Sequence, residues 1–353
     1  VWIVAYTTID NPELYFQCKL YTGNATGRDI TLDGSENMSP NLVWIKVRSE
    51  AEASQFYDTI RGVQKRFMTH SIEVSETVSQ GLTAFNADGF TLGTGNGANK
   101  NTETYVAWCW KAGTSFTNDA SSTGIGTIDS SGSVSDVSGF SLCTYTGTGS
   151  NATLKHGLSS TPEYFIIKNI SSQGAWRSFT TGTGNQSQIA LDQNDAADSG
   201  STTMWNSTSP TSSVLSVGTH SHVNASSDTY MGYVFRSVQG FSKMGTYQGN
   251  NNTDGAYVHL GFRPAFLMIR RTDAGTSDWA MLDNKRLGYN KDFKLSYANL
   301  VNAEEAYPEL DFVSNGFKLR GAGALSNDPN TYFYVAFAEA PFVNSKGVPN
   351  NAR

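Results

Sequence analysis

The sequence predicts an all-β protein built from three tandem, related β-sandwich modules. Three observations lead there. A strand-like phrase is written three times, as TYVAWCWK at 104–111, TYMGYVFR at 229–236 and YVAFAE at 334–339. Upstream of each lies a proline followed by a hydrophobic run that ends in isoleucine and a cation: SPNLVWIKVR (39–48), TPEYFIIKNI (161–170) and RPAFLMIRRT (263–272). Charged residues are only 16% and aromatics 12%, and Ser, Thr, Asn and Gly fill the gaps between short aromatic-rich runs. A disordered chain lacks such aromatics; many short strands joined by turns require them.

The elements follow in order. The opening VWIVAYTTID is apolar for four residues and has no positive leader, so it reads as a strand in need of a partner rather than a signal peptide. Each module then opens with a turn after a tyrosine: YTGN (21–24), YTGTG (145–149) and YQGN (247–250). Proline starts the next strand, where its missing N–H does least harm. Ile45, Ile167 and Ile269 stand five residues after Pro40, Pro162 and Pro264, and Lys46, Lys168 and Arg270 stand six after. The phrases NADGF (86–90), VSGF (137–140), VQGF (238–241) and SNGF (314–317) set a glycine turn before a Phe-led strand.

The closing strand starts at Tyr105, Tyr230 and Tyr334 and places Trp108, Tyr233 and Phe337 at a matching inward position. Helix is expected only at 49–62 and 302–307. The first spacing between closing strands exceeds the second, and the excess lies in the Gly/Ser/Thr stretch 113–136, which reads as a linker or long surface loop. The resulting division is an N-terminal strand or arm (1–17), modules at 18–125, 126–237 and 238–340, and a tail (341–353). Six to eight short strands per module suggest lectin-like or jelly-roll-like sandwiches.

The composition narrows the function. A net charge of −6 and a pI near 5.4 leave no basic field for phosphates, so nucleic acid is excluded as a partner. No run reaches the apolar length of a membrane span. Cys18, Cys109 and Cys143 are too scattered for a disulfide framework or a metal site and read as buried small hydrophobes.

Chemistry-bearing motifs fall short. Alternation would put Glu309 and Asp311 on one strand face, as in glycosidases on sandwich folds, but Ser314 stands where a third carboxylate belongs. His220 and His222 share a strand face and have only Asp228 nearby as a third metal ligand. The loop DQNDAADSG (192–200) alternates oxygen ligands but lacks the bidentate glutamate of a calcium loop. The sequons at Asn24, Asn151 and Asn206 are what an Asn-, Ser- and Thr-rich chain produces by accident. No catalytic residue, metal ligand or cofactor is predicted. The remaining lead is three tryptophans outside the repeated phrases, Trp176, Trp205 and Trp279, whose faces flanked by polar residues suit stacking on sugar rings.

Several separated phrases carry a family resemblance: AYTTIDNPELYFQCKLYTGN, VWIKVRS, DTIRG, NADGFTLG, YVAWCWKAG, GFRPAFLMIRRTD and YVAFAEAPFVNSKGVPNNAR. Across nearly the whole chain these resemble a family of virion structural proteins of marine bacteriophages, described as tail-fibre-like, with a concanavalin-like sandwich. VWIV stands ahead of AYTTID, where family sequences begin. The resemblance implies a virion-exterior location, other virion proteins as partners and a homo-oligomer, with a trimer favoured. It implies a tail-fibre or tail-associated protein that contacts bacterial surface glycans. The alternatives are a capsid decoration or fibre-shaft protein without a ligand, and a glycan depolymerase resting on Glu309 and Asp311. The apolar N-terminal strand would pair with a neighbour's sheet edge.

Overall fold

The computed structural model describes residues 5–273, 275–286, 290 and 294–351. Strand outweighs helix 42% to 4%, so the chain is all-β. Three principal sheets share one strand order, in which the first and second strands of each unit flank the last. The first unit runs Phe16–Thr22, Thr104–Trp110, Leu42–Val47, Gln55–Asp58. The second runs Phe140–Thr146, Thr229–Phe235, Tyr164–Asn169, Arg177–Thr180, and the third Ser242–Gln248, Thr331–Pro341, Phe262–Arg271, Ala280–Asp283. All pairings are antiparallel. A smaller sheet lies across each, for example Arg28–Ile30, Gly89–Leu92 and Leu82–Asn86 in the first unit. Separate apolar cores fill the space between the two layers in the first and second units.

Several expectations change. The stretch 113–136 is not a linker: Thr114–Asn118 and Ser130–Ser135 form two strands that extend the second unit's principal sheet, so that unit begins before residue 126. Serine and threonine alternate there with Phe116 and Val134, a pattern a half-exposed sheet accepts. The expected helix at 49–62 contains the strand Gln55–Asp58, buried throughout, and 302–307 contains the short strand Glu305–Ala306. Described residues before Phe16 form no strand. They fold onto the chain's own third unit: Thr7 Oγ1 donates to Gln239 O at 2.9 Å, and Tyr6 OH to Gly261 O at 2.9 Å. Val1–Val4 lie outside the described residues.

The third closing strand shifts by two residues from the sequence reading. Lys46, Lys168 and Arg270 pair with Val106, Met231 and Phe333, which makes Tyr332 the partner of Tyr105 and Tyr230. Val335 therefore takes the place assigned to Phe337, and Phe337 matches Trp110 and Phe235. A shift of two leaves every side chain on its face, so the repeated YVA string could hide it.

A local lock repeats at the start of each closing strand. Tyr105, Tyr230 and Tyr332 stack on Tyr21, Tyr145 and Tyr247 with ring centroids 4.9, 5.2 and 5.2 Å apart. Their hydroxyls accept from the backbone N–H of Lys100, Ala225 and Asp328. Just upstream, Asn99, Asn224 and Asn327 are completely buried. Each side-chain amide donates to two carbonyls: Thr26 and Gly93, Ser150 and Gly218, Asn252 and Gly321. Each oxygen accepts one backbone N–H, from Asn24, Thr148 and Asn250. The glycine after the first tyrosine is required by this lock. A Cβ on Gly23, Gly147 or Gly249 would stand 2.0, 2.2 or 1.9 Å from the carbonyl oxygen of Lys100, Ala225 or Asp328.

The units are joined in a cycle. Lys46 of the first unit donates to the carbonyls of Leu300 (3.1 Å) and Val301 (2.9 Å) in the third. Lys168 of the second donates to Ile72 O (2.9 Å) in the first, and Arg270 of the third to Asp195 O in the second. All three cations are fully buried. Two buried ion pairs, Asp58–Arg61 and Asp283–Arg286 (both 2.6 Å), each accept one more donor from a neighbouring unit, Tyr233 OH at 2.8 Å and Trp108 Nε1 at 3.0 Å. Between the three principal sheets lies one continuous apolar core contributed by all three units, with Phe16 stacked on Phe337 and Phe56 edge-on to Tyr233.

Two outcomes test this scheme. Asn99→Ala, Asn224→Ala and Asn327→Ala each strand buried backbone groups and should lower stability by about 1–3 kcal/mol in urea titrations; Asn→Asp, which aims a carboxylate at two carbonyls, should lower it further. Burial draws the Lys46 and Lys168 ammonium groups down to about 8 from 10.5. A folded-state value below the unfolded one means the charged form is penalised in the native state. That penalty is full below pH 8 and is relieved as pH rises, so the urea midpoint should climb from about pH 7.5 to about pH 9.5. Above pH 10 the trend should reverse, because buried tyrosines such as Tyr57 and Tyr332, raised to about 12, ionise first in the unfolded chain.

Candidate functional site

The three tryptophans expected to stack on sugars lie in the interior, each fully buried. Trp176 packs edge-on against Phe56 and Phe67 of the first unit and donates its indole N–H to Ser71 O at 3.2 Å. Trp205 packs on Phe165 and donates to Ser187 O at 2.9 Å; Trp279 donates to Ala190 O at 2.9 Å across the junction of the third and second units. Polar neighbours in the chain misled the reading: they occupy turns, while the indoles point inward. Trp176 and Trp279 help to hold the units together, and no ring face is open to a ligand.

The other leads also resolve into internal bonds. Asp311 is held by Arg320 Nε at 2.5 Å and is nearly buried, while Glu309 precedes the strand Leu310–Val313. His222 Nδ1 accepts from Arg177 Nε at 3.0 Å, and burial, with that cation's help, pushes the ring down to about 4. Asp228, the expected third ligand, accepts instead from Asn169 at 2.8 Å. The loop 192–200 serves a cation of the chain itself: the Asp195 carbonyl receives Arg270, and Asp192 accepts the Trp176 N–H at 3.1 Å. Among the described residues no group of three or more His, Cys, Asp or Glu is placed to hold a metal. Cys18, Cys109 and Cys143 are buried free thiols, and burial raises Cys143 to about 12.

What remains is a cleft where units meet. In the first and third units the first strand lies near the start of a neighbouring unit's second strand. Between the first and third units this seam leaves about 20 Å³. There Asp33 bridges Lys19 and Lys285 at 3.5 and 3.4 Å, and Gln17 bonds Gly34 N and Glu36 O. On the second unit the first strand is covered by the added strand Ser130–Ser135. Between the second and first units about 300 Å³ remains beside Arg61, Lys65 and Thr144, and between the third and second units the seam stays open at about 350 Å³.

Its walls are chemically mixed. Lys243, on the strand Ser242–Gln248, donates to His259 O at 2.7 Å. Glu163 accepts the Ser237 N–H at 2.6 Å. Tyr6, carried in by the N-terminal segment, bonds Gly261 O, and Gln239 follows the turn before the strand. Tyr257, 47% exposed and the one aromatic among the exposed large hydrophobic residues described, reaches the cleft through its hydroxyl, 3.2 Å from Nδ1 of the lining His259. Partial burial raises the Tyr6 and Tyr257 hydroxyls, so both stay protonated. Sequence reasoning passed over Tyr257 because it sits inside the strand Tyr257–His259, where alternation alone does not show which face water reaches.

The cleft offers exposed aromatic edges, an amide, a cation and hydroxyl donors around a shallow opening, the make-up of a recognition site for a polar ring. Paired-carboxylate glycoside hydrolysis needs two carboxyl groups about 5–10 Å apart; Glu163 is the one acid lining this cleft.

The fold is all-β, and its three units share one apolar core. Residues 11–341 match the family described as a domain of unknown function, DUF7483, and the chain belongs to that family. The match runs through all three units, so the family is defined by their assembly and not by one sandwich. No curated protein and no solved structure matches.

If the tryptophans are internal, Trp176→Phe and Trp279→Phe should destabilise the fold by removing an inter-unit hydrogen bond, by about 1 kcal/mol each in urea titrations.

Proposed function

We propose that the chain is a virion-exterior protein that contacts bacterial surface glycans through the cleft between its third and second units. The resemblance to phage tail-fibre-like proteins supports the location. The open cleft beside the exposed Tyr257 supports the ligand class, and it is the observation on which the reading rests. A sugar ring stacks its C–H face on Tyr257 and presents hydroxyls to Gln239, His259 and the free N–H bonds of Lys243. The interlocked body holds these groups in place without ligand, which keeps the ordering cost of binding low.

A decoration or fibre-shaft role without a ligand is the second reading. It is favoured by the closed cycle of inter-unit bonds, which suits a mechanical part. Binding of purified host envelope polysaccharide separates the two. Tyr257→Ala should weaken it about tenfold, equivalent to about 1.4 kcal/mol, with the fold unchanged by circular dichroism. Tryptophan emission should not respond to the ligand, since the described indoles are buried. Absence of binding, or binding indifferent to both Tyr257→Ala and Gln239→Ala, would rule the cleft out.

A further inference from the structure

The strand Thr114–Asn118 ends the largest sheet of the molecule and bonds on one side only, to Ser130–Ser135. Such an edge presents unpaired N–H and C=O groups, and proteins ordinarily blunt it with charge, proline, a bulge or brevity. Four other principal edges are blunted in that way, and a fifth, Gln55–Asp58, is bridged at Phe56 by Phe67. Phe16–Thr22 carries Lys19 and Ser242–Gln248 carries Lys243. Asp198–Ser199 and Glu305–Ala306 are two residues long and acidic. Thr114–Asn118 reads TSFTN, with no charge, no proline and no register shift, and Thr114, Ser115 and Thr117 are exposed.

We propose that this strand is a homotypic docking edge, on which two copies of the chain pair antiparallel about Phe116 and join their eight-stranded sheets into one. The occupant follows from the strand's composition. A two-fold axis at Phe116 sets Phe116 against Phe116, Ser115 against Thr117 and Thr114 against Asn118, and aromatic and hydroxyl pairs are favourable cross-strand neighbours. A two-fold interface needs this self-complementarity. The chain carries a net charge of −6, and a neutral edge lets two copies meet without opposing like charges. Phe116 is held ready for the contact. Its ring lies over Gly157, in a left-handed conformation (φ +87°), and over Gly132, where added Cβ atoms would stand 2.7 and 2.9 Å from it. The half-buried ring packs against the second unit's own core, which fixes the middle of the edge strand in place.

The edge belongs to the stretch that lengthens the second unit, so docking would be a property of that hairpin and independent of the cleft. Light scattering across a concentration series should give the mass of a dimer. Ser115→Lys with Thr117→Lys sets lysines opposite lysines across the two-fold, a destabilising cross-strand pairing, and should give a monomer with unchanged circular dichroism. Ser115→Glu with Thr117→Glu should do the same, and mixing the two variants should restore a dimer containing one copy of each. Backbone amides of 114–118 should exchange slowly in the dimer and quickly in either charged variant alone. A wild-type mass of one chain at every concentration, a trimeric mass, or a dimer that survives the double lysine substitution would overturn the proposal.

Discussion

A cation taken out of water must be surrounded by oxygen, and this molecule obtains that oxygen by folding its units against one another. Lys46 and Lys168 each present an ammonium group to several backbone carbonyls, and some of those carbonyls belong to the neighbouring unit. Arg270 makes a sparer version on the third side, with one carbonyl of the second unit, that of Asp195, accepting from its guanidinium. Stranding a buried charge costs several kcal/mol, so no unit can keep its cation where it is without its neighbour. The cleft depends on the same constraint, since its two walls come from different units.

Local and global order are divided between two sets of buried polar groups. The asparagine locks at Asn99, Asn224 and Asn327 work within a unit, tying the turn after the first strand to the start of the last. The cation sockets and the Asp58–Arg61 and Asp283–Arg286 pairs work between units. The scheme is not perfectly regular. At the place of Asp58 and Asp283 the second unit carries Thr180, and at the place of Trp108 and Tyr233 the third unit carries the apolar Val335. Replacing both partners of a buried polar contact together avoids the cost of leaving one unpaired. The open cleft and the added hairpin are further departures from the regular scheme.

Legibility in the sequence followed how local each interaction is. Proline, isoleucine and cation held register because strand pairing fixes their spacing. The asparagine was equally legible and was missed: GTGNGAN, GTHSHVN and GAGALSN each place it six residues after a glycine whose carbonyl it binds. It would not by itself have corrected the third strand, because Tyr332 stands one residue closer to Asn327 than Tyr105 and Tyr230 stand to Asn99 and Asn224. The tryptophans were not legible in the same way. Trp176 reaches a different unit, and nothing in GAWRSF shows that a neighbouring sheet will cover the ring.

By itself the sequence determined that the protein is all-β and where the proline-led strands and the first two closing strands lie, because these follow from alternation, turn chemistry and the spacing of one strand pair. Only the tertiary structure decided what the buried groups meet, which tryptophans are covered, which of the inter-unit seams stays open and which sheet edge is left without a partner. The physical reason is that a buried cation or indole takes its partners from wherever the chain returns, and that position is set by packing between units far apart in sequence.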